Sequence, residues 1–141
     1  MKVSIESMVG IDLDWVVSQV EGFTKGTYMR EVFVKSDVLG NACLLQVPAD
    51  HDRRYVRFNP GSNFDLGGRI VAREGICMWY DPARPAGKWK ATVGNAVQYG
   101  DDFLITAMRC HCINKLGSLF VDLPPPFEYL HSEVTGHEPA D

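Results

Sequence analysis

Hydrophobic positions along the chain repeat with two periods, and the change from one to the other marks out the elements. In Gly10–Phe23, Leu13, Val16, Val17 and Val20 fall at i, i+3, i+4 and i+7, one apolar stripe on a helix. Gly22 stands where a left-handed residue would end that helix. Ser4 is an acceptable N-cap for an earlier start, with Gly10 as a weak point between. Ile11 and Trp15 lie off the stripe, so another segment, such as the C-terminal tail, is expected to cover them; the alternative for Trp15 is an exposed binding aromatic. A second helix is predicted over Ser62–Gly75, capped by Ser62 or Asn63, with Leu66 and Ile70 on one face and Phe64 and Val71 on its flank. A third runs through Gly100–Gly117, with Asp101 or Asp102 at its N-terminus, Lys115 in its last turn and Gly117 at C′.

Alternation with period two appears between the second and third helices. Gly75–Asp81 puts Ile76, Met78 and Tyr80 on one side and Cys77 and Trp79 on the other. Both sides are apolar, so both are expected to be covered. Lys88–Gly94 sets Trp89, Ala91 and Val93 against Lys88, Lys90 and Thr92. The proline-rich Asp81–Lys88 segment is too long for a two-residue turn but joins the two as an antiparallel hairpin. Tyr28–Val34, Ala42–Val47 and Arg53–Phe58 read as strands or extended segments, forming a sheet edge or an insertion. Pro124–Pro126 excludes helix and central strand from the tail.

The chain's 141 residues suit one domain with its own core. A domain over residues 1–117 is expected, followed by an acidic tail over 118–141, partly docked. Of 18 acidic residues, five lie in that tail, which has no Lys or Arg; the other 13 face all 14 bases, so the body is near neutral. A net charge of −4 argues against a generic nucleic-acid coat. Glu6, Asp12 and Asp14 interrupt any signal-like stretch, and no run approaches the ~20 apolar residues of a membrane span. A cytoplasmic protein is therefore expected, with Cys43, Cys77, Cys110 and Cys112 as free thiols.

The run Cys110-His111-Cys112 invites a metal site. On a helix, Cys110 and Cys112 project roughly 160° apart and cannot chelate one ion, and the C-x2–4-C spacing of zinc sites is absent. No metal or other cofactor is expected. Cys112 falls on a stripe with Ile105, Met108 and Leu116 and reads as a small core hydrophobe; Cys110 points elsewhere, and His111 lies near the stripe's edge. Adjacent Gly67 and Gly68 cost helix stability, roughly 1 kcal/mol each. Either they permit close packing, or their amides with Arg69 and Arg73 hold an anion. Arg84, Lys88, Trp89 and Lys90 form a small basic, aromatic hairpin, read as a solvated sheet edge rather than a nucleic-acid surface.

Three blocks together resemble one family. Gly10–Gly22 is similar to the G-x-x-LDW-AV-x-x-x-EG opening of the NinX-like phage proteins. Asn59–Ile76 resembles their central P-S-T-x-W-x-x-GGPII-x-REGI segment, and Leu104–Gly117 their closing LIAAMRCYVASKLG helix. Phe64 replaces the family tryptophan, Arg69 a proline, His111 a tyrosine and Cys112 a valine. The resemblance implies a phage or prophage protein with a small antiparallel sheet layered among helices (an α/β/α sandwich); it assigns no catalytic residue. An α+β fold is thus expected, in a non-enzymatic accessory protein that binds a host or phage macromolecule, most simply a protein. Trp15, Trp79, Trp89, Arg69 and the tail aromatics are the candidate contacts. The alternative is a small-molecule or nucleotide binder, such as a sponge for a signalling nucleotide, using Gly67, Gly68, Arg69 and Arg73. The off-stripe aromatics permit a homodimer without demanding one.

Overall fold

A computed structural model describes residues 1–22, 32–36, 42–46, 56–124 and 127. Its strands are β1 (Lys2–Ser4), β2 (Val32–Ser36), β3 (Ala42–Gln46), β4 (Val56–Arg57), β5 (Cys77–Tyr80), β6 (Trp89–Val93), β7 (Ala96–Gly100) and β8 (Phe120–Asp122). Its helices are α1 (Gly10–Val20), α2 (Phe64–Glu74) and α3 (Phe103–Leu116). The fold is α+β, with antiparallel sheets β2-β3-β4, β5-β6-β7 and a β1-β8 ribbon. The expected end of the first helix at Phe23, the Tyr28–Glu31 and Arg53–Tyr55 parts of the expected strands, and most of the tail lie outside the described residues.

α3 is the centre of the molecule. Leu104, Thr106, Ala107, Met108, Cys110, His111 and Cys112 are all buried, so most of the helix is enclosed, whereas Leu116, expected on the Cys112 stripe, is exposed because the helix end extends past the core. The β5–β7 sheet packs on one side of it and α1 and α2 on others, while β3 reaches α1. Leu13, Val16 and Val17 of α1 are buried, as their spacing predicts, and Val20 is partly so. The early start near Ser4 does not occur as α-helix. Ile5–Ser7 is a 3-10 turn, after which α1 begins at Gly10. Arg109 of α3 anchors this entry by donating from Nε to the Met8 carbonyl at 2.8 Å.

The predicted caps form as expected. The side chains of Asn63 and Asp102 accept from the amides of Asp65 and Ile105, at 2.9 Å each. Gly75 and Gly117 take the left-handed C-terminal positions. Gly67 resolves half of the glycine question: a Cβ there would run into the Pro60 carbonyl and the Leu104 side chain. Gly68 faces open space. Close packing therefore accounts for the first glycine, and no contact accounts for the second.

Three strands, β1, β7 and β8, have no counterpart in the sequence reading. β7 turns back from β6 through the two-residue Gly94-Asn95 loop, pairing Val93 with Ala96. This makes β6 the middle strand, so Lys90 does not lie on a sheet edge. β8 pairs with β1, and beyond it Leu123 and Phe127 are buried. Trp15 packs on Phe127, with ring centroids 5.4 Å apart. The tail therefore does cover this tryptophan.

Candidate functional site

The β5–β7 sheet has two unlike faces. α3 covers the face carrying Met78, Ala91, Ala96 and Gln98. Cys110 Sγ reaches the Ala91 and Ala96 carbonyls there, at 3.4 and 3.5 Å. The opposite face is open, which corrects the expectation that both sides of β5 are covered: Cys77 is exposed, and Trp79 is 51% exposed. The physical reason is that α3 packs on one side of this three-stranded sheet, while Val97 and Tyr99 beside Trp79 remain 45% and 44% exposed. Trp79, Lys90 and Tyr99 are direct cross-strand partners on β5, β6 and β7. The Lys90 ammonium lies 5.4 Å from the Trp79 ring centroid and 5.9 Å from that of Tyr99. Arg84 reaches back from the hairpin loop to lie 4.3 Å over Tyr99.

Trp89 belongs to the other face. Its ring meets Tyr80 and Phe103, each at 4.9 Å, and Phe103 stacks on the exposed Phe64 at 5.8 Å. Trp79 and Trp89 are therefore not brought together. Phe64, where the family pattern has tryptophan, ends an aromatic row at the N-termini of α2 and α3.

The α2 candidates have other commitments. Arg69 pairs with Asp65 at 3.1 Å on the open surface. Arg73 grips Glu21 with two hydrogen bonds of 2.7 Å and Glu74 with one of 2.8 Å. The Gly67 amide donates to Asn63 within the helix, at 2.8 Å. Gly67, Gly68, Arg69 and Arg73 thus do not converge on one point from which an anion could be held.

Glu21 is the hub that sequence reasoning missed. Besides Arg73 it meets His111 Nε2 at 3.0 Å, and Lys115 continues the chain through Glu74 at 2.8 Å. Burial alone would raise the Glu21 carboxyl; the bonds from His111 and Arg73 and their charge outweigh it and hold it at about 2. The His111 ring is fully buried, and its Nδ1 has no partner among the described residues. The available signal was Glu21-Gly22, the EG that closes the first family block.

Asp14 is a second buried carboxylate. Its Oδ1 accepts from the Gly61 amide at 3.1 Å, tying α1 to the turn before α2. Burial pushes it up to about 7, against the opposing effects of that bond and the Arg57 charge. Burial also pushes the Cys110 thiol up to about 11 and raises that of Cys112 further, with the Glu21 and Asp14 charges adding to the effect. Cys110 faces the sheet, whereas Cys112 feels the carboxylates of α1. Helix geometry separates them as expected, and neither is an activated thiolate.

Two hollows of about 300 Å³ border the C-terminal end of α3. One is lined by Asn95, Asn114 and Ser118, the other by Trp15, Leu116 and Val121. Asp122 is the one titratable group lining either. Among the described residues, no three His, Cys, Asp or Glu side chains are grouped to hold a metal ion. No described helix is long and apolar enough to cross a membrane.

A family model described as Bacteriophage P22, NinX matches residues 4–115, from the end of β1 nearly to the end of α3. No curated protein matches the chain.

Proposed function

The chain belongs to the bacteriophage P22 NinX family, and from that premise we propose that it is a phage accessory protein that works in the bacterial cytoplasm by binding a host or phage macromolecule. The observation that carries this reading is the open face of β5–β7. Trp79, Val97 and Tyr99 are exposed on one face of a sheet whose other face is packed on α3. Large side chains held outward on the two edge strands contribute nothing to the core, and a surface used for association accounts for them. Trp79 is the central contact. Trp15, packed under the tail, and Trp89, packed in the aromatic row, serve the fold.

The test is a photo-crosslinking amino acid in place of Val97, introduced into the full-length protein in phage-infected cells. A discrete adduct at position 97, lost when Trp79→Ala is added and absent from the same probe at Arg69, is expected. Equal labelling from both positions, or none from position 97, would sink the proposal.

A further inference from the structure

Lys90 needs an explanation that edge protection does not supply, because β6 has a strand on each side. It stands between two aromatic rings, one on each neighbouring strand, with Arg84 above the second. We infer that this face is a stacking platform for single-stranded nucleic acid. One base lies on Trp79 and another on Tyr99 in place of the Arg84 guanidinium, which swings off the ring to hold, with Lys90, the connecting phosphates. The inference rests on the reading of the open face as the binding surface and names its occupant.

Spacing argues for a single strand. Trp79 and Tyr99 are two strand spacings apart, about 10 Å, whereas successive bases of one duplex strand rise about 3.4 Å. Neighbouring bases within a duplex cannot each reach a ring at that separation. An unpaired strand can splay its bases and stack them one by one on aromatic side chains. Both rings are carried on paired strands, and Arg84 is the side chain that must move when a base arrives.

Charge points the same way. Arg84, Lys88 and Lys90 are the cations of this region. Asp81 and Asp101, at its loop end, turn carboxylate oxygens to backbone amides: Asp81 to Ala83 at 3.0 Å, Asp101 to Gly87 and Lys88 at 2.7 and 3.3 Å. The Lys88 ammonium bonds the Pro82 and Arg84 carbonyls, and Arg84 Nε donates to the Gly87 carbonyl at 3.0 Å, which leaves Lys90 and the terminal nitrogens of Arg84 as the phosphate contacts. In a chain of net charge −4, a cationic, aromatic strip confines a polyanion to one face. A second copy docked here face to face would set Lys90 and Arg84 against their own like charges.

The experiment is fluorescence anisotropy of a labelled oligo(dT) of about 12 nucleotides and of the matching duplex, titrated with full-length protein from about 50 to 200 mM salt. The single strand should bind more tightly than the duplex. Two phosphate contacts give a log–log salt slope of about −1.4, and Lys90→Gln should flatten it by about half. Trp79→Ala and Tyr99→Ala should each weaken binding about 5- to 150-fold, the range for one base–aromatic stack, with unchanged thermal melting. Trp79→Phe should keep most of the affinity. No binding at low salt, preference for the duplex, or affinity indifferent to both rings overturns the inference. Should oligonucleotides fail while the position-97 adduct persists and is destroyed by protease, the occupant is a protein: this inference falls and the reading of the face stands. Should the adduct fail too, both fall.

Discussion

Adjacent glycines in α2 should respond to the same substitution with opposite signs. Replacing glycine by alanine inside a helix gains roughly 1 kcal/mol by restricting the unfolded chain and improving propensity. At Gly68 a new methyl meets nothing within 4 Å, so Gly68→Ala should gain about that amount. At Gly67 the methyl would strike the Pro60 carbonyl and come within 2.9 Å of Leu104 Cδ2. The leucine tip can swing away. The carbonyl is backbone, and the next amide, that of Gly61, is tied to Asp14. Overpacking of this kind costs about 1–3 kcal/mol, and a backbone obstacle puts Gly67→Ala at about 2–3; less the gain of roughly 1 kcal/mol, the variant should be destabilised by about 1–2 kcal/mol net, placing the two variants about 2–3 kcal/mol apart. Urea denaturation with a shared slope measures this directly, and thermal melting should separate them by about 6–15 °C. If both variants shift in the same direction, close approach of α2 to the Pro60 turn is not what Gly67 provides.

Asp14→Asn keeps the acceptor for Gly61 and removes the buried charge. Because the folded carboxyl is raised from 3.8 to about 7, the native state holds its proton more tightly, so wild-type stability should fall between about pH 4 and 7; each tenfold in proton affinity is worth about 1.4 kcal/mol, a ceiling near ~4 kcal/mol. The variant should lose that descent and be the more stable protein at pH 8; equal pH profiles would refute the assignment. Glu21 has the opposite sign. Its carboxyl falls from 4.5 to about 2, so its contribution is complete above about 4.5 and disappears as pH falls through 2, and Glu21→Gln should cost about 1–2 kcal/mol at pH 7 and progressively less in acid. Peptide mapping after brief iodoacetamide treatment of the native protein should find Cys77 modified and Cys110 and Cys112 protected until denaturant is added; prompt labelling of Cys110 would contradict its burial against the sheet.

The helices were legible because their signals were local and redundant. Asn63, Asp102, Gly75 and Gly117 mark ends, and the stripes of α1 and α2 face the core. β7 was hidden by a reversed pattern: its buried positions hold Ala96 and Gln98, while the bulkier Val97 and Tyr99 point outward. Hydrophobicity alone therefore assigned it no face, and that omission turned Lys90 from a central residue into an edge residue. Trp79 was named as a candidate from the sequence, but its neighbours Tyr99 and Arg84 come together only through the register of three strands and the fold of a loop. The Glu21 hub joins residues 52 and 90 positions apart, beyond anything periodicity can report. Cys110 and Cys112 were the opposite case, since 100° per residue already separated them.

The β1–β8 ribbon has a consequence for the order in which the molecule comes into being. Lys2, Val3 and Ser4 leave the ribosome well before their partners Asp122, Val121 and Phe120. At about 5–20 residues per second, the first strand waits about 6–24 seconds for the last to be made. Ile5 and Met8, both enclosed in the folded protein, share that wait, because the Arg109 side chain and the Leu119 carbonyl that hold this segment follow about 100 residues later. The nascent chain thus carries an apolar segment without its partners during that interval, a window in which a chaperone, or another nascent copy, can reach it first.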